Sequence, residues 1–150
     1  MKEKQYERIL QQLCAVLEGE HDMIANMANM SALLFAELPE LNWAGFYLFK
    51  NKELILGPFQ GKVACMHISL GKGVCGVCAE SRCTQRVDNV HEFVNHIACD
   101  SASNSEIVIP LIKEDTLLGV LDIDSPVFSR FDAVDQHYLE KAAAILLHSL

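Results

Sequence analysis

The sequence contains 150 residues, of which 51% are hydrophobic and 21% are charged, and its formal net charge is −8. These values are typical of one soluble globular domain, so we expect residues 1–150 to form a single domain. The acidic balance excludes the basic surface of a nucleic-acid-binding protein. No apolar run approaches the roughly 18 residues that cross a membrane. The N-terminus, MKEKQYERIL, lacks the apolar segment of a signal peptide, which predicts a cytoplasmic protein.

Two helices are predicted at the start of the chain. From Glu3 to Leu17, apolar residues recur at helical spacing. Asp22 is a suitable N-cap for a second helix, which ends before Pro39. Cys14 belongs to the first helix and is expected to pack in the core.

Strands are predicted in the middle of the chain. The segment WAGFYLFK alternates and is rich in aromatic residues, ELILGPFQ follows the turn NKE, and VACMHISL is a third strand. GKGVCGVCAES predicts a short helix, and the polar residues from Asp88 to Ser103 predict a long loop. Two more strands, SEIVIPLIK and LLGVLDIDS, are joined by the turn EDT. An amphipathic helix is predicted from Asp132 to Leu150.

This order of elements predicts an α+β fold. Strands joined by tight turns pair antiparallel, and helices at the two chain ends can cover one face of such a sheet. The other face is then left for loops and a ligand.

Six cysteines lie at positions 14, 65, 75, 78, 83 and 99. In a reducing cytosol, such thiols are more often catalytic or metal-binding than structural disulfides. Cys99 lies in the predicted loop and is therefore accessible, whereas Cys65 is also consistent with a small core residue on the third strand. Cys75 is near a predicted helix start, where free amide groups favour a thiolate.

Zinc binding is an alternative for the cysteine cluster. Cys75 and Cys78 form one C-x2-C pair, and three histidines are near in sequence: His67, His91 and His96. A structural zinc site usually uses two such pairs, so we predict no metal site. Cys78 and Cys83 are expected to have no chemical role.

A group of acidic residues is predicted on one face of the sheet. Asp122 and Asp124 are two residues apart on a strand and therefore share a face. Glu106 begins the preceding strand and is expected to lie near them across the hairpin. Like charges this close face water or a cation, or one of them holds a proton. A solvent-exposed strand end is the simpler interpretation of the same pattern.

An aromatic pair is predicted on the first strand, because Trp43 and Tyr47 are four residues apart and share a face. Such pairs are often core residues. Facing a carboxylate group, however, they also suit an ammonium ion, which aromatic rings and negative charge both attract. The residues therefore favour a small zwitterion as ligand, with a thiol supplied by a neighbouring loop.

Four motifs together resemble the free methionine-(R)-sulfoxide reductases, which are built on a GAF domain: GKGVCG, HIACD, SNSEIVIPL and GVLDIDS. The spacing of Cys65, Cys75 and Cys99 also resembles that family. The similarity is strongest from Trp43 to Phe131. The chain differs from the family pattern in the loop VDNVHEFVN, where the family usually has prolines, and in two extra thiols, Cys78 and Cys83.

The resemblance implies a GAF-like fold and a function. It implies reduction of free L-methionine (R)-sulfoxide, with electrons from thioredoxin, no bound cofactor and a homodimeric assembly. It implies that Cys99 attacks the substrate and that Cys65 and Cys75 are the resolving thiols. Substrate-binding roles are implied for five residues: Trp43, Tyr47, Glu106, Asp122 and Asp124.

This chemistry needs a proton for the departing sulfoxide oxygen. A carboxyl group kept protonated by its neighbours is such a donor, and Glu106 or Asp124 is the candidate. Cys99 is left as a sulfenic acid, which Cys65 or Cys75 converts to a disulfide, and thioredoxin reduces that disulfide. The competing functions are a GAF sensor of a small ligand such as a cyclic nucleotide, a thiol redox sensor without a substrate, and a structural zinc protein.

Overall fold

The computed structural model describes residues 1–94, 96, 99 and 101–150 of the chain. One six-stranded antiparallel sheet has the strand order β3-β2-β1-β6-β5-β4. A short 3-10 helix, Val90–Glu92, follows β4. The other elements are α1 (Lys2–Leu17), α2 (Met23–Glu37), β1 (Trp43–Lys50), β2 (Glu53–Gly61), β3 (His67–Ser69), α3 (Gly73–Ser81), β4 (Gln85–Val87), β5 (Ser105–Lys113), β6 (Thr116–Ser125) and α4 (Ala133–Ser149).

Alternation along the central strands gives the sheet two different faces. On one face, side chains such as Phe46, Ile109 and Leu121 pack against α1, α2 and α4 in the main core. On the other face, Trp43, Tyr47 and Val108 pack with residues of α3 in a second cluster. The predicted α+β arrangement, with terminal helices on one face of an antiparallel sheet, is therefore confirmed.

The two long hairpins turn as the sequence predicts. Asn51 and Lys52 both have positive φ between β1 and β2, and Glu114 and Asp115 do the same between β5 and β6. Two consecutive residues with positive φ are the geometry of a type I′ turn, whose twist matches that of the flanking strands. These turns fix the register of the strands that carry the functional residues.

Two predictions of local structure were wrong, and one short strand was missed. The third strand is only His67–Ser69, so Cys65 precedes it rather than lying on it. A short edge strand, Gln85–Val87, was not predicted. Cys14 is exposed on α1 and does not pack in the core, because the buried face of that helix is formed by Tyr6, Ile9, Leu13 and Leu17. In the part of the chain that the structure describes, no helix has the length and apolar character to cross a membrane.

A buried carboxylate joins the two ends of the chain. Asp132 caps α4 in a capping box with Asp135, and the Asp135 side chain is fully buried. Asp135 accepts hydrogen bonds from the hydroxyl of Tyr6 at 2.6 Å, from Lys2 at 2.8 Å and from Arg130 at 3.3 Å. A buried carboxylate needs such partners, since it is costly to leave unpaired. The contacts attach α1 to the start of α4.

We expect the substitution Tyr6→Phe to lower the free energy of unfolding by about 1.5–3 kcal/mol, because a buried charged acceptor loses one donor. Urea denaturation monitored by circular dichroism measures this change. Tyr138→Phe is the matched control, since the Tyr138 ring stacks on Tyr6 at 5.2 Å and a Phe keeps that contact. Equal stability of Tyr6→Phe and the wild-type protein would show that this hydrogen bond does not stabilise the fold.

Candidate active site

A pocket lies on the sheet face opposite α1, α2 and α4. Its floor is formed by β1, β5 and β6, and α3 and the loop before β5 form its walls. Within the described residues, the structure brings all eight predicted site residues together there: Trp43, Tyr47, Cys65, Cys75, Cys99, Glu106, Asp122 and Asp124.

The acidic residues are placed by the pairing of β5 with β6. Glu106 lies directly opposite Asp124 in the register, and Asp122 shares that face two residues away. Glu106 and Asp122 are 9% and 5% exposed. Oδ1 of Asp122 and Oδ1 of Asp124 are buried and have no hydrogen-bond partner among the described residues. The exposed strand end that the sequence also allowed is therefore not what the structure contains.

Burial determines the protonation of this acidic group. Burial raises the pKa of Glu106 well above its ordinary value, and the nearby carboxylates of Asp122 and Asp124 raise it further. Burial and the charge of Asp122 likewise raise the pKa of Asp124. Glu106 and Asp124 face each other across the strand pair, so they are expected to titrate as a coupled pair. The pocket therefore favours a bound proton or a bound cation.

Two polar side chains bias where that proton resides. The hydroxyl of Ser103 donates a hydrogen bond to Oδ2 of Asp124 at 3.2 Å, and the Asn42 side-chain amide donates to the Ser103 oxygen at 2.9 Å. Hydrogen bonds from Glu106 and Ser103 act to lower the pKa of Asp124, against the larger effect of burial. The hydrogen bond from Ser103 therefore favours the ionised form of Asp124, whereas burial favours the protonated form of both Asp124 and Glu106.

Stacked aromatic rings form the wall beside the carboxylates. Trp43 and Tyr47 are each 2% exposed. Their ring centroids are 5.9 Å apart, and Phe59 stacks on Trp43 at 5.1 Å. The Trp43 indole donates a hydrogen bond to the carbonyl oxygen of Lys62 at 3.1 Å, and the Tyr47 hydroxyl donates to the carbonyl oxygen of Cys65 at 2.9 Å. The same rings thus line the pocket and contact the segment that carries Cys65.

A disulfide joins Cys65 to Cys99 at the edge of the pocket, with a Cα–Cα distance of 5.4 Å. Cys65 is therefore not simply a core residue. The cavity that remains beside this disulfide measures about 40 Å³, far below the roughly 300 Å³ or more of typical ligand pockets. This volume is smaller than an amino acid requires.

Cys75 is a free and buried thiol whose sulfur is 3.9 Å from Oε2 of Glu106. Burial raises the pKa of the Cys75 thiol well above its ordinary value, and the charges of Asp122 and Glu106 raise it further. The prediction that a helix start favours a Cys75 thiolate was therefore wrong. Burial of the thiol and three nearby carboxyl groups outweigh the amide groups at the start of α3.

The two extra thiols lie apart from this chemistry. Cys78 is buried and its sulfur contacts the carbonyl oxygen of Val108 at 3.5 Å, whereas Cys83 is exposed. Burial raises the pKa of Cys78 to about 12. Among the described residues, Cys75 and Cys78 do not belong to a common group of potential metal ligands, as the zinc alternative requires. A different set, Cys75, Glu106 and Asp122, has ligand atoms within 4.8 Å of one another and would be the place for a cation.

Three residues with polar side chains line the pocket but were not predicted there: Lys72, His96 and Ser103. Each lies inside or beside a motif that was noticed for its cysteine or glutamate, namely GKGVCG, HIACD and SNSE. Burial, followed by the neighbouring His91, lowers the pKa of His96, which favours a neutral ring. Ile97, Ala98 and Asp100 of the HIACD motif, and Asn95 before it, lie outside the described residues.

Comparison with known proteins defines first the class and then the family. Residues 25–146 match the model of the GAF domain family, and the six-stranded antiparallel sheet is consistent with that class. Free methionine-R-sulfoxide reductase of Escherichia coli is 52% identical over 132 residues, which cover 88% of this chain and 80% of the relative. The enzyme of the same name from Saccharomyces cerevisiae is 46% identical and covers 93% of this chain and 84% of its own.

A solved structure agrees with these relatives. The free methionine-R-sulfoxide reductase of Neisseria meningitidis, in complex with its substrate, is 41% identical and superposes with a TM-score of 0.96. The match covers 99% of this chain and 90% of that chain. The chain therefore belongs to the free methionine-R-sulfoxide reductase family of GAF-domain enzymes, and the resemblance in its motifs is confirmed.

The raised pKa of Glu106 predicts a pH-dependent stability. Above the ordinary carboxyl pKa of 4.5, the folded protein holds a proton that the unfolded chain has lost. The free energy of unfolding therefore falls as pH rises towards the folded-state pKa, by at most about 1.4 kcal/mol per pH unit for each such proton. Glu106→Gln removes this titration, so we expect the variant to become more stable relative to wild type between pH 5 and pH 8.

Chemical denaturation at several pH values, with both proteins in the disulfide form, measures this difference. Glu7→Gln, at an exposed position on α1, is the control for loss of one charge. A constant difference between Glu106→Gln and wild type across the pH range would mean that Glu106 holds no extra proton in the folded protein.

Proposed function

We propose that this chain reduces free L-methionine (R)-sulfoxide to L-methionine. The observation that carries the proposal is the Cys65–Cys99 disulfide, which lies against a pocket of buried carboxyl groups and aromatic rings. A bond between these two thiols is the product that sulfoxide reduction would leave behind. We further propose that residues 1–150 act as one GAF domain.

The free ammonium group of the substrate is recognised by charge and by aromatic rings. Glu106, Asp122 and Asp124 supply negative charge in a buried setting, and the faces of Trp43 and Tyr47 attract cations. An ammonium ion relieves the repulsion among the carboxylates. A methionine residue within a polypeptide has no such group at its nitrogen, which explains a preference for the free amino acid.

The first chemical step forms methionine. The Cys99 sulfur attacks the sulfoxide sulfur, the oxygen passes to Cys99, and methionine leaves as the thioether. One thiol and one sulfoxide thus give one sulfenic acid and one thioether. The sulfoxide oxygen must gain a proton as its bond to the substrate breaks. Glu106 is the proposed donor, because burial and the neighbouring carboxylates raise its pKa and because Ser103 donates a hydrogen bond that favours the ionised form of Asp124.

The second step forms the disulfide. The Cys65 thiol condenses with the Cys99 sulfenic acid and water leaves. Cys65 is favoured over Cys75 as the resolving thiol, since its sulfur is bonded to Cys99 and since the Cys75 thiol is held protonated by its surroundings. Cys75 is proposed to remain a neutral group of the pocket wall during this cycle.

Thioredoxin is the proposed electron donor, and it would restore both thiols by disulfide exchange. Thioredoxin receives its electrons from NADPH, so the cytoplasm, where such reductants operate, is the proposed location of the reaction. A homodimer is the proposed assembly. These three statements rest on the resemblance to the family and on the redox chemistry of the disulfide.

The test of the reaction is NADPH oxidation with thioredoxin, thioredoxin reductase and free L-methionine sulfoxide, with the R and S epimers given separately. We expect oxidation of NADPH with the R epimer alone, and methionine should form in equal amount. Folded, reduced protein that oxidises no NADPH with either epimer, and forms no methionine from either, would contradict the proposal.

We expect Cys99→Ser to abolish turnover, with a loss of at least about 10³-fold, because a hydroxyl does not replace the attacking thiol. Cys14→Ser is the matched control, since Cys14 is exposed on α1 away from the pocket, and it should retain wild-type turnover. Methionine formation by Cys99→Ser at a rate near that of the control would exclude Cys99 as the nucleophile.

We expect Glu106→Gln to lower the rate of methionine formation by about 10²-fold, which is the usual contribution of a general acid. In the wild-type protein, the rate limited by the acid should fall as pH rises through the raised pKa of Glu106, and this limb should be missing in the variant. Single-turnover kinetics of methionine formation from pH 5 to pH 9 measure both effects. The same alkaline limb in the variant would assign the proton to another group.

A further inference from the structure

The segment that carries Cys65 is an irregular connection between β2 and β3. Residues 62–66 have no regular secondary structure, and Val63 and Met66 are 88% and 68% exposed. We call these five residues the Cys65 loop. Exposed side chains contribute little to fixing a loop, so its position depends on its remaining contacts with the body of the protein.

Two of these contacts come from the wall of the pocket. The Trp43 indole donates to the carbonyl oxygen of Lys62 at 3.1 Å, and the Tyr47 hydroxyl donates to the carbonyl oxygen of Cys65 at 2.9 Å. One bond is at the start of the loop and the other is on the cysteine itself. Both donors stand on β1, a central strand of the sheet, and both rings are 2% exposed. A rigid element therefore holds the loop at two points. Its other contacts are the packing of Ala64 and Cys65 against the same cluster and a hydrogen bond from the Leu56 backbone amide to the carbonyl oxygen of Met66 at 2.9 Å.

The backbone before the loop also follows the Trp43 ring. Gly61 has φ of +132°, and a Cβ atom at this position would be 2.6 Å from Cδ1 of Trp43. Only glycine suits this conformation and this close approach. The chain thus passes directly over the indole as it enters the Cys65 loop, which fits the hydrogen bond from that indole to Lys62. Burial raises the pKa of Tyr47, so its hydroxyl remains a donor at every pH at which the protein works.

We propose that Trp43 and Tyr47 are positioning residues for the resolving thiol, in addition to lining the substrate pocket. Their hydrogen bonds hold the Cys65 loop so that the sulfur of Cys65 is within reach of Cys99. This inference rests on the proposed function, in which the Cys65 thiol and the Cys99 sulfenic acid give a disulfide and water. Positioning of one reacting group beside another raises their effective concentration, and a small displacement removes much of that gain.

A substitution at Tyr47 should affect the two chemical steps differently. Loss of the Tyr47 hydroxyl disturbs the second step, in which Cys65 takes part, more than the first step, in which it does not. In a single turnover of reduced Tyr47→Phe without external reductant, we expect disulfide formation to slow about tenfold relative to methionine formation in the same variant. Methionine is measured in the quenched solution, and the protein thiols are alkylated and counted by mass spectrometry.

A redox titration tests the same positioning without the substrate. In buffers of reduced and oxidised glutathione, one molecule of oxidised glutathione converts the two enzyme thiols to the Cys65–Cys99 disulfide and gives two of reduced glutathione. We expect the equilibrium constant for this reaction to fall about tenfold in Tyr47→Phe, which corresponds to a rise of about 30 mV in the reduction potential. Trp43→Phe, which lacks the other donor, should change in the same direction.

Tyr138→Phe is the control for removal of a hydroxyl from a tyrosine outside the pocket, and it should match wild type in both measurements. If Tyr47→Phe and Trp43→Phe form the disulfide with the wild-type equilibrium constant, the positioning inference is wrong. If the wild-type protein forms no methionine but the two variants still show weakened disulfides, the proposed reaction fails while the inference about the loop stands. Thermal unfolding of each oxidised variant verifies that it is folded.

Discussion

The pairing of β5 with β6 forces three acidic side chains into one buried space. Glu106 lies opposite Asp124, and Asp122 shares their face. Carboxylates this close and this buried do not all remain ionised, so the site must either keep a proton or accept a cation. The proposed reaction uses both solutions. The substrate brings an ammonium ion, and its sulfoxide oxygen takes a proton as it leaves.

The same electrostatic field explains the distribution of the thiols. Burial raises the pKa of Cys75, and the neighbouring acidic groups raise it further, because a thiolate there would add to the negative charge. Cys65 and Cys99 both lie outside the helices and strands, at the edge of the pocket, and a disulfide joins their sulfur atoms. The proposed proton donor and the reactive thiols therefore lie in one pocket at different positions. The proposed attack takes place between the acidic group and the disulfide-forming cysteines.

The sequence pattern predicted those features of the site that depend on residues close together in the chain. Alternation in β1, β5 and β6 identified the face shared by Trp43 and Tyr47 and that shared by Asp122 and Asp124, and the hairpin placed Glu106 near the latter pair. The strand Gln85–Val87 was missed because it is short and polar. Contacts of Ser103, Asn42, Lys62 and Cys65 were beyond prediction, since they depend on how loops return to the sheet. The prediction of a thiolate at Cys75 was wrong because it considered the helix start without the burial and the carboxyl groups that the fold places beside this thiol.

An arrangement that keeps buried carboxyl groups close together destabilises the folded protein, and the opposite face of the sheet offsets this cost. There, α1, α2 and α4 cover a large apolar core, and Asp135 is satisfied by three side-chain donors. One face of the sheet thus carries the apolar core that stabilises the fold. The other face carries buried carboxyl oxygens that lack hydrogen-bond partners among the described residues. Because the strands are shared, the core fixes the register, and the register in turn fixes the distance between Glu106 and Asp124. A GAF domain of this kind can therefore keep mutually repelling carboxyl groups buried on one face of its sheet and still remain folded.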